Sequence, residues 1–183
     1  MNTWFTSDTH FFHEAVIRYS HRPFHDVEEM NETMVFKWNQ VVAPGDTVYH
    51  LGDVALVRGR DRGNLLNLLD SLNGNIHLCP GNHDWKNGIV KLSRWTSVQD
   101  YREITLDETF ITLLHYGMRV WNRSHYGSLH FYGHSHGTLP GDSQSVDVGV
   151  DNGWGYQPVS LDDIRSRLTT LPQRRPVDHH GVE

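Results

Sequence analysis

The stretch "DTVYHLGDV", residues 46–54, decides how the chain is read. Its β-branched and aromatic run has the character of a strand, and it stops at Gly52-Asp53, a turn residue followed by a carboxylate. Upstream, "DVEEMNETMVFKWNQVV" (26–42) repeats Val27, Met30, Met34, Trp38 and Val41 at helical spacing. Asp26 with Glu29 makes a capping-box-like start. Before that helix, "NTWFTS" (2–7) is a short strand that ends close to Asp8 and His10. Downstream, "DRGNLLNLLDSL" (61–72) is a helix with core-facing leucines, and "GNIHLCPGNHD" (74–84) is a strand running into a glycine-bounded loop. Strand, helix, strand, helix, strand predicts βαβ units with parallel strands.

The second half changes character. "SVQDYREITL", "ETFITLLHYG", "SLHFYGHSH" and "QSVDVGVD" alternate or run apolar like strands, with little helix between them. "SLDDIRSRL" (160–168) is a final helix with Ser160 as N-cap. The spacing predicts a single domain over residues 1–170. The polar, proline-punctuated residues 171–183, with His179 and His180, are expected to form a flexible, solvated tail.

Composition narrows the function. The 183 residues are 37% hydrophobic and 21% charged, enough for a packed core and too little charge for disorder. A formal net charge of -6 argues against a protein that coats nucleic acid, because phosphate backbones reward basic faces. The lone Cys79 sits in an apolar run and is expected to be buried. The first residues lack a signal-peptide pattern, and no run suits a membrane helix, so a cytoplasmic protein is expected.

The 14 histidines stand out. Metal-capable residues fall at the ends of five predicted strands: Asp8 and His10; Asp53; Asn82 and His83; His115; His134 and His136. Sites in α/β sheets form beyond the carboxyl ends of strands. Carboxylate and imidazole donors without cysteine suit divalent Mn, Fe, Zn, Co or Ni. One ion takes roughly four to six ligands, so eight candidates point to two ions, which at about 3.5–4 Å can share a carboxylate. Glycines beside the candidates would let backbone and ions approach closely.

Taken together, "SDTH", "LGDV", "PGNHD", "LLHYG" and "YGHSHG" resemble the successive signatures of the calcineurin-like metallophosphoesterases. The wider wording around the first two motifs is similar to small bacterial and phage members. The resemblance implies an α/β fold, a four-layer α-β-β-α sandwich with two mixed sheets. It implies Asp8, His10 and His136 as ligands of one metal, Asn82, His115 and His134 as ligands of the other, and Asp53 as the bridge. Manganese is the expected ion, with Fe, Zn, Ni or Co as substitutes. His83, Asn82 and Asp53 form the implied catalytic set. A metal-bridging hydroxide would attack phosphorus in line, with His83 protonating the leaving oxygen.

The same reading expects a small phosphate-ester or nucleotide substrate, with phosphodiesters favoured because no long cap insertion closes the pocket. Nucleic acid remains a candidate substrate despite the absence of a basic surface, and a phosphomonoesterase, a polyphosphate hydrolase or a silent scaffold of the same fold are the alternatives. The sequence is silent on oligomeric state. Arg22, in a loop stiffened by Pro23 and Phe24, is the favoured phosphate fork. Arg58, Arg60, Arg62, Arg119 and Arg123 are weaker candidates. His13 either lines the pocket or caps the next helix. His50 and His77 are expected in the core or behind the ligands, and His125 and His130 on the surface or in loops. Phe11, Phe12, Trp85 and Trp121 are candidates for stacking a nucleobase. Asp84 is expected to fix its loop. The displaced "DRG" denies Asp61 the orienting role that a later aspartate plays in some relatives, and the group orienting His83 stays open.

Overall fold

The structure, a computed structural model, describes residues 1–57 and 61–175. Arg58, Arg60, His179 and His180 lie outside the described residues. In chain order the elements are β1 (Thr3–Thr6), α1 (Glu14–Tyr19), α2 (Val27–Val41), β2 (Thr47–His50), α3 (Arg62–Ser71), β3 (Asn75–Leu78), α4 (Asn82–Lys86), β4 (Ser97–Val98), β5 (Tyr101–Leu106), β6 (Thr109–Leu114), β7 (Leu129–Tyr132), β8 (Ser145–Asp147), β9 (Val159–Ser160) and α5 (Leu161–Leu168).

Both sheets are mixed, as expected. The first has the order β4-β3-β2-β1-β9, parallel except for β9. The second has the order β5-β6-β7-β8, parallel except for β5. Sequence periodicity did not reveal α1, α4 or β9, because six, five and two residues are too few for a repeat to show.

The core has two parts, set by alternation along the central strands. Val48, Ile76 and Leu78 face Met30, Met34 and Trp38 of α2 and Leu65 and Leu69 of α3. Phe5, Leu51 and Cys79 face Ile111, Leu113 and Phe131 of the second sheet, and α5 adds Leu161, Ile164 and Leu168 to that inter-sheet layer. Phe5 and Phe131 meet edge to face at 5.0 Å. Asp26 caps α2 by accepting the Glu29 N–H at 2.8 Å, while the Glu29 carboxylate accepts the N–H of His25, so only half of the box forms. Ser160 and Asp163 form the full box on α5.

Two expectations change. His130 was expected at the surface or in a loop but is buried on the outer face of β7, beneath residues 116–128. Its Nδ1 donates to the Thr112 carbonyl and its Nε2 accepts the Met118 N–H, which fixes a neutral ring. Burial pushes its pKa down to about 4. The chain also stays bound past residue 170. Leu171 packs on the inter-sheet core, the Pro172 carbonyl accepts the Ser143 N–H, and Arg174 pairs with Asp142 at 2.8 Å while lying over the Trp121 ring.

The register positions the site. Thr6, His50 and Leu78 stand side by side at the ends of β1, β2 and β3, so three loops leave the first sheet at one level. Leu113 of β6 pairs with Phe131 of β7 in the same way. The two sheets are stitched at that edge, where Ser7 bridges to Gly149 and the Val150 N–H donates to the Ser7 carbonyl. Five strand ends therefore converge.

Candidate dinuclear metal centre

The convergence brings the sequence candidates into two groups. Asp8, His10 and His136 offer donor atoms all within 4.8 Å of one another, and so do Asp53, His115 and His134. Asp53 Oδ2 lies between the groups, 3.7 Å from His10 Nε2, 3.6 Å from His115 Nε2 and 3.9 Å from His83 Nε2. None of these separations is a hydrogen bond, so this oxygen faces three imidazole nitrogens across a gap. Its partner Oδ1 accepts the His83 backbone N–H at 2.9 Å.

Seven buried side-chain polar atoms among the described residues lack a hydrogen-bond partner, and four of them belong here: Asp8 Oδ1, His10 Nε2, Asn82 Oδ1 and His115 Nε2. A buried acceptor without a partner costs about 1–3 kcal/mol, so four on the loops that carry the two donor groups fit a pair of cations. The other atom of Asp8 and of His115 is engaged. Asp8 Oδ2 accepts the His134 N–H at 2.9 Å, and His115 Nδ1 donates to the Leu51 carbonyl at 2.6 Å. That second bond puts the His115 proton on Nδ1 and leaves an Nε2 lone pair facing Asp53. Burial raises the Asp8 pKa well above the usual carboxylate range and lowers that of His10. A nearby dication would hold the carboxylate ionised and the imidazole neutral.

Backbone strain marks the same residues. Asp8, His10, Asp53, His134 and His136 all have φ between 47° and 67°, a left-handed conformation costing roughly 1 kcal/mol or more for each non-glycine residue. The loops keep it because their amides are tied: Asp8 N–H to the Gly52 carbonyl and His10 N–H to the Asp53 carbonyl. Close approach also needs glycine. A Cβ on Gly133 would overlap Ser7 Oγ and stand 2.5 Å from Asp8 Oδ2, and one on Gly81 would stand 2.7 Å from the Asp53 amide.

Three aspartates with covered carboxylates brace the site. Asp84 fixes its loop as expected: its carboxylate accepts the N–H groups of Asp53, Val54 and Gly81 at 2.8–3.0 Å and so ties the Asp53 turn to the Asn82-His83 turn. Burial pushes its pKa up to about 6. Asp147 and Asp151 were missed. Asp147 accepts from Ser135 Oγ and the Gly137 and Gly149 amides, holding the His134–His136 turn. Asp151 Oδ2 accepts from His136 Nδ1 at 2.6 Å, which leaves His136 Nε2 for an ion. The available signal was a carboxylate recurring inside the apolar run "VDVGVD", where an aspartate must find buried donors.

Arg22 requires a correction. It was expected to fork a substrate phosphate, but it is buried and its donors are occupied. Nε and Nη2 bind Asp151 at 2.8 Å, Nη2 also binds the Asp8 carbonyl at 2.6 Å, and Nη1 binds the Thr9 carbonyl and the Met30 sulfur. It holds the loop of Asp8 and His10 and has no free N–H for a substrate. Arg62 likewise binds the Asn87 carbonyl at 3.1 Å, and Arg123 lies over the Phe110 ring. His13 lines the site: it makes no side-chain cap on α1, and its Nδ1 is 3.2 Å from His10 Nδ1. His50, buried against Thr9, and His77, bonded to Ser97, stand behind the site or in the sheet as expected. Phe11 and Trp121 are buried, Phe12 is half-buried, and Trp85 is exposed.

His83 has its main chain pinned at both ends, by Asp53 Oδ1 at its N–H and by Asn87 Nδ2 at its carbonyl. Its ring lies 5.4 Å from that of His10 and 6.0 Å from that of His13, and its side chain is 34% exposed. With His134 also exposed, the centre faces solvent on this side.

A calcineurin-like phosphoesterase profile matches residues 1–176. The chain belongs to the calcineurin-like phosphoesterase family. It is 35% identical to an uncharacterized protein of Methanocaldococcus jannaschii over 158 residues, 86% of each chain. It is 26% identical to the Gene 66 protein of Mycobacterium phage D29, over 94% of this chain and 98% of that one. Among solved structures, a protein of unknown function from Aquifex aeolicus superposes with a TM-score of 0.70 at 23% identity, covering 91% of this chain and 98% of the other, and shows the same fold. Members of this family use divalent metals, and the two donor groups suit them. No helix among the described residues is long and apolar enough to cross a membrane.

Proposed function

We propose that the chain hydrolyses phosphate esters, phosphodiesters and nucleotide-like esters ahead of monoesters, with manganese as its preferred ion. The observation that carries this is the place of Asp53 Oδ2 between the two donor groups, faced by the partnerless buried nitrogens His10 Nε2 and His115 Nε2. Asp8, His10 and His136 would hold one ion, Asn82, His115 and His134 the other, and Asp53 both. Two bound divalent ions supply Lewis acidity towards phosphate oxygens and lower the pKa of water.

The remaining chemistry falls to side chains that are not ligands. His83 protonates the leaving oxygen, a role supported by its exposure and its place beside Asp53. His13 donates to a substrate oxygen. The Nδ1 atoms of His10 and His13 are in contact and share one proton. With His10 Nε2 as a ligand atom, that proton sits on His10 Nδ1. His13 then accepts through Nδ1 and carries its own proton on Nε2. The solvent-facing centre supports a diester, whose two substituents need room on both sides.

The test is turnover of bis-p-nitrophenyl phosphate and p-nitrophenyl phosphate by Mn-loaded protein. The expected result is faster hydrolysis of the diester. No turnover of either ester with any of the five metals, and no metal retained, would sink the enzyme reading. A monoester preference would reverse the substrate class.

A further inference from the structure

Large aromatic rings are exposed on both flanks of the centre. Tyr19, the last residue of α1, is 72% exposed and meets His13 edge to face at 6.4 Å. Tyr116 is 44% exposed and meets His134 at 4.7 Å and His115 at 4.9 Å, with interplanar angles of 67° and 76°. The first ring belongs to the side of Asp8, His10 and His136, because His13 touches His10. The second belongs to the side of Asp53, His115 and His134. Edge-to-face contact leaves ring surface uncovered, and at these exposures that surface faces water. An exposed tyrosine has no packing reason to stand here, since buried rings fill the core beneath it.

We infer that Tyr19 and Tyr116 are stacking shelves for two planar groups, one on each side of the scissile phosphate, so that the substrate is a short dinucleotide-like phosphodiester. This rests on the phosphodiesterase reading above and names its substrate class. Aromatic shelves accept any base through its π face, so they select the class without selecting the sequence. Charge limits the length. A long nucleic acid needs a basic track, but the net charge is -6, and Arg62, Arg94, Arg102 and Arg167 bind carbonyls or hydroxyls of their own fold. Two bases and one phosphate use both shelves and the metal centre without such a track.

The experiment compares a deoxydinucleoside monophosphate carrying 2-aminopurine at both positions with its abasic counterpart, using Mn-loaded wild type, Tyr19→Ala, Tyr116→Ala and the two Tyr→Phe variants. Bis-p-nitrophenyl phosphate is the control. Wild type should prefer the base-bearing diester through a lower KM and should quench its fluorescence on binding. Each alanine variant should lower that preference by about five-fold to a hundred-fold, the worth of one stacked base. Each phenylalanine variant should keep it. A wild-type preference near one, or one that survives both alanine substitutions, overturns the inference, as does failure to cleave the dinucleotide while the control is cleaved. Failure on the control as well would overturn the phosphodiesterase reading itself.

Discussion

Replacing Asp151 with asparagine should weaken one half of the centre and leave the other in place. The Asp151 carboxylate is 3% exposed and carries two functions: it neutralises the buried Arg22 guanidinium and fixes His136 through Nδ1. The substituted amide would keep the shape but lose the charge, leaving Arg22 buried and unpaired. Breaking one partner of a buried pair costs about 3–5 kcal/mol. For a chain of this size each kcal/mol lowers Tm by about 2–4 °C, so a fall of roughly 6–20 °C is expected in metal-free protein. The second effect is on the metal. Loss of a carboxylate behind a ligating histidine costs about 10- to 100-fold in affinity. Arg22 also holds the Asp8 carbonyl, so the Asp8, His10 and His136 side takes the damage. Calorimetric titration with Mn, with metal content measured per chain, should show one site weakened by that factor and the other within about two-fold. Equal weakening of both sites would refute the division of ligands. An unchanged melting curve would refute the account of Arg22.

Other outcomes follow from the same geometry. Gly133→Ala places a methyl group against Ser7 and Asp8. It should cost about 1–3 kcal/mol by overpacking and deplete metal at the Asp8 side, read by thermal melting and metal analysis. His83→Asn should lower kcat by roughly 100- to 10,000-fold, most for esters with poor leaving groups, with metal content intact; loss of the metals would make His83 a ligand. Stability should fall with acid through His130. Its pKa is about 4 in the fold against 6.5 for the free side chain, so the unfolded state binds the proton first. The contribution is whole above pH 6.5, shrinks by up to about 3 kcal/mol as the pH falls to 4, and is flat below. Denaturant melts from pH 7.5 to 4 should show a shallower dependence for His130→Gln, and equal slopes would contradict a buried neutral ring.

The sequence by itself determined the strands longer than two residues, the helices longer than one or two turns, and the order in which chemistry-bearing residues meet strand ends. These are local properties. Apolar period, caps and turn residues act within a few positions, as the stripe from Val27 to Val41 and the Ser160 cap show. Donor type is local too, so Asp8, His10, Asp53, Asn82, His115, His134 and His136 were legible as candidates before any fold existed.

Only the tertiary structure decided what those residues touch. Arg22 looked available because its partner, Asp151, lies 129 positions away and arrives only when the two sheets close. His130 looked like a surface residue because the segment that buries it belongs to a loop with no period of its own. The resemblance already assigned His134 and His136 to different ions, and the structure adds how residues two positions apart come to lie in different donor groups, one with Asp53 and the other with Asp8. Their common loop turns twice through left-handed backbone, and that strain is held by Asp147 from a neighbouring strand. Side-chain chemistry is written one residue at a time. Burial and hydrogen-bond occupancy are properties of surfaces that meet only when distant segments pack together.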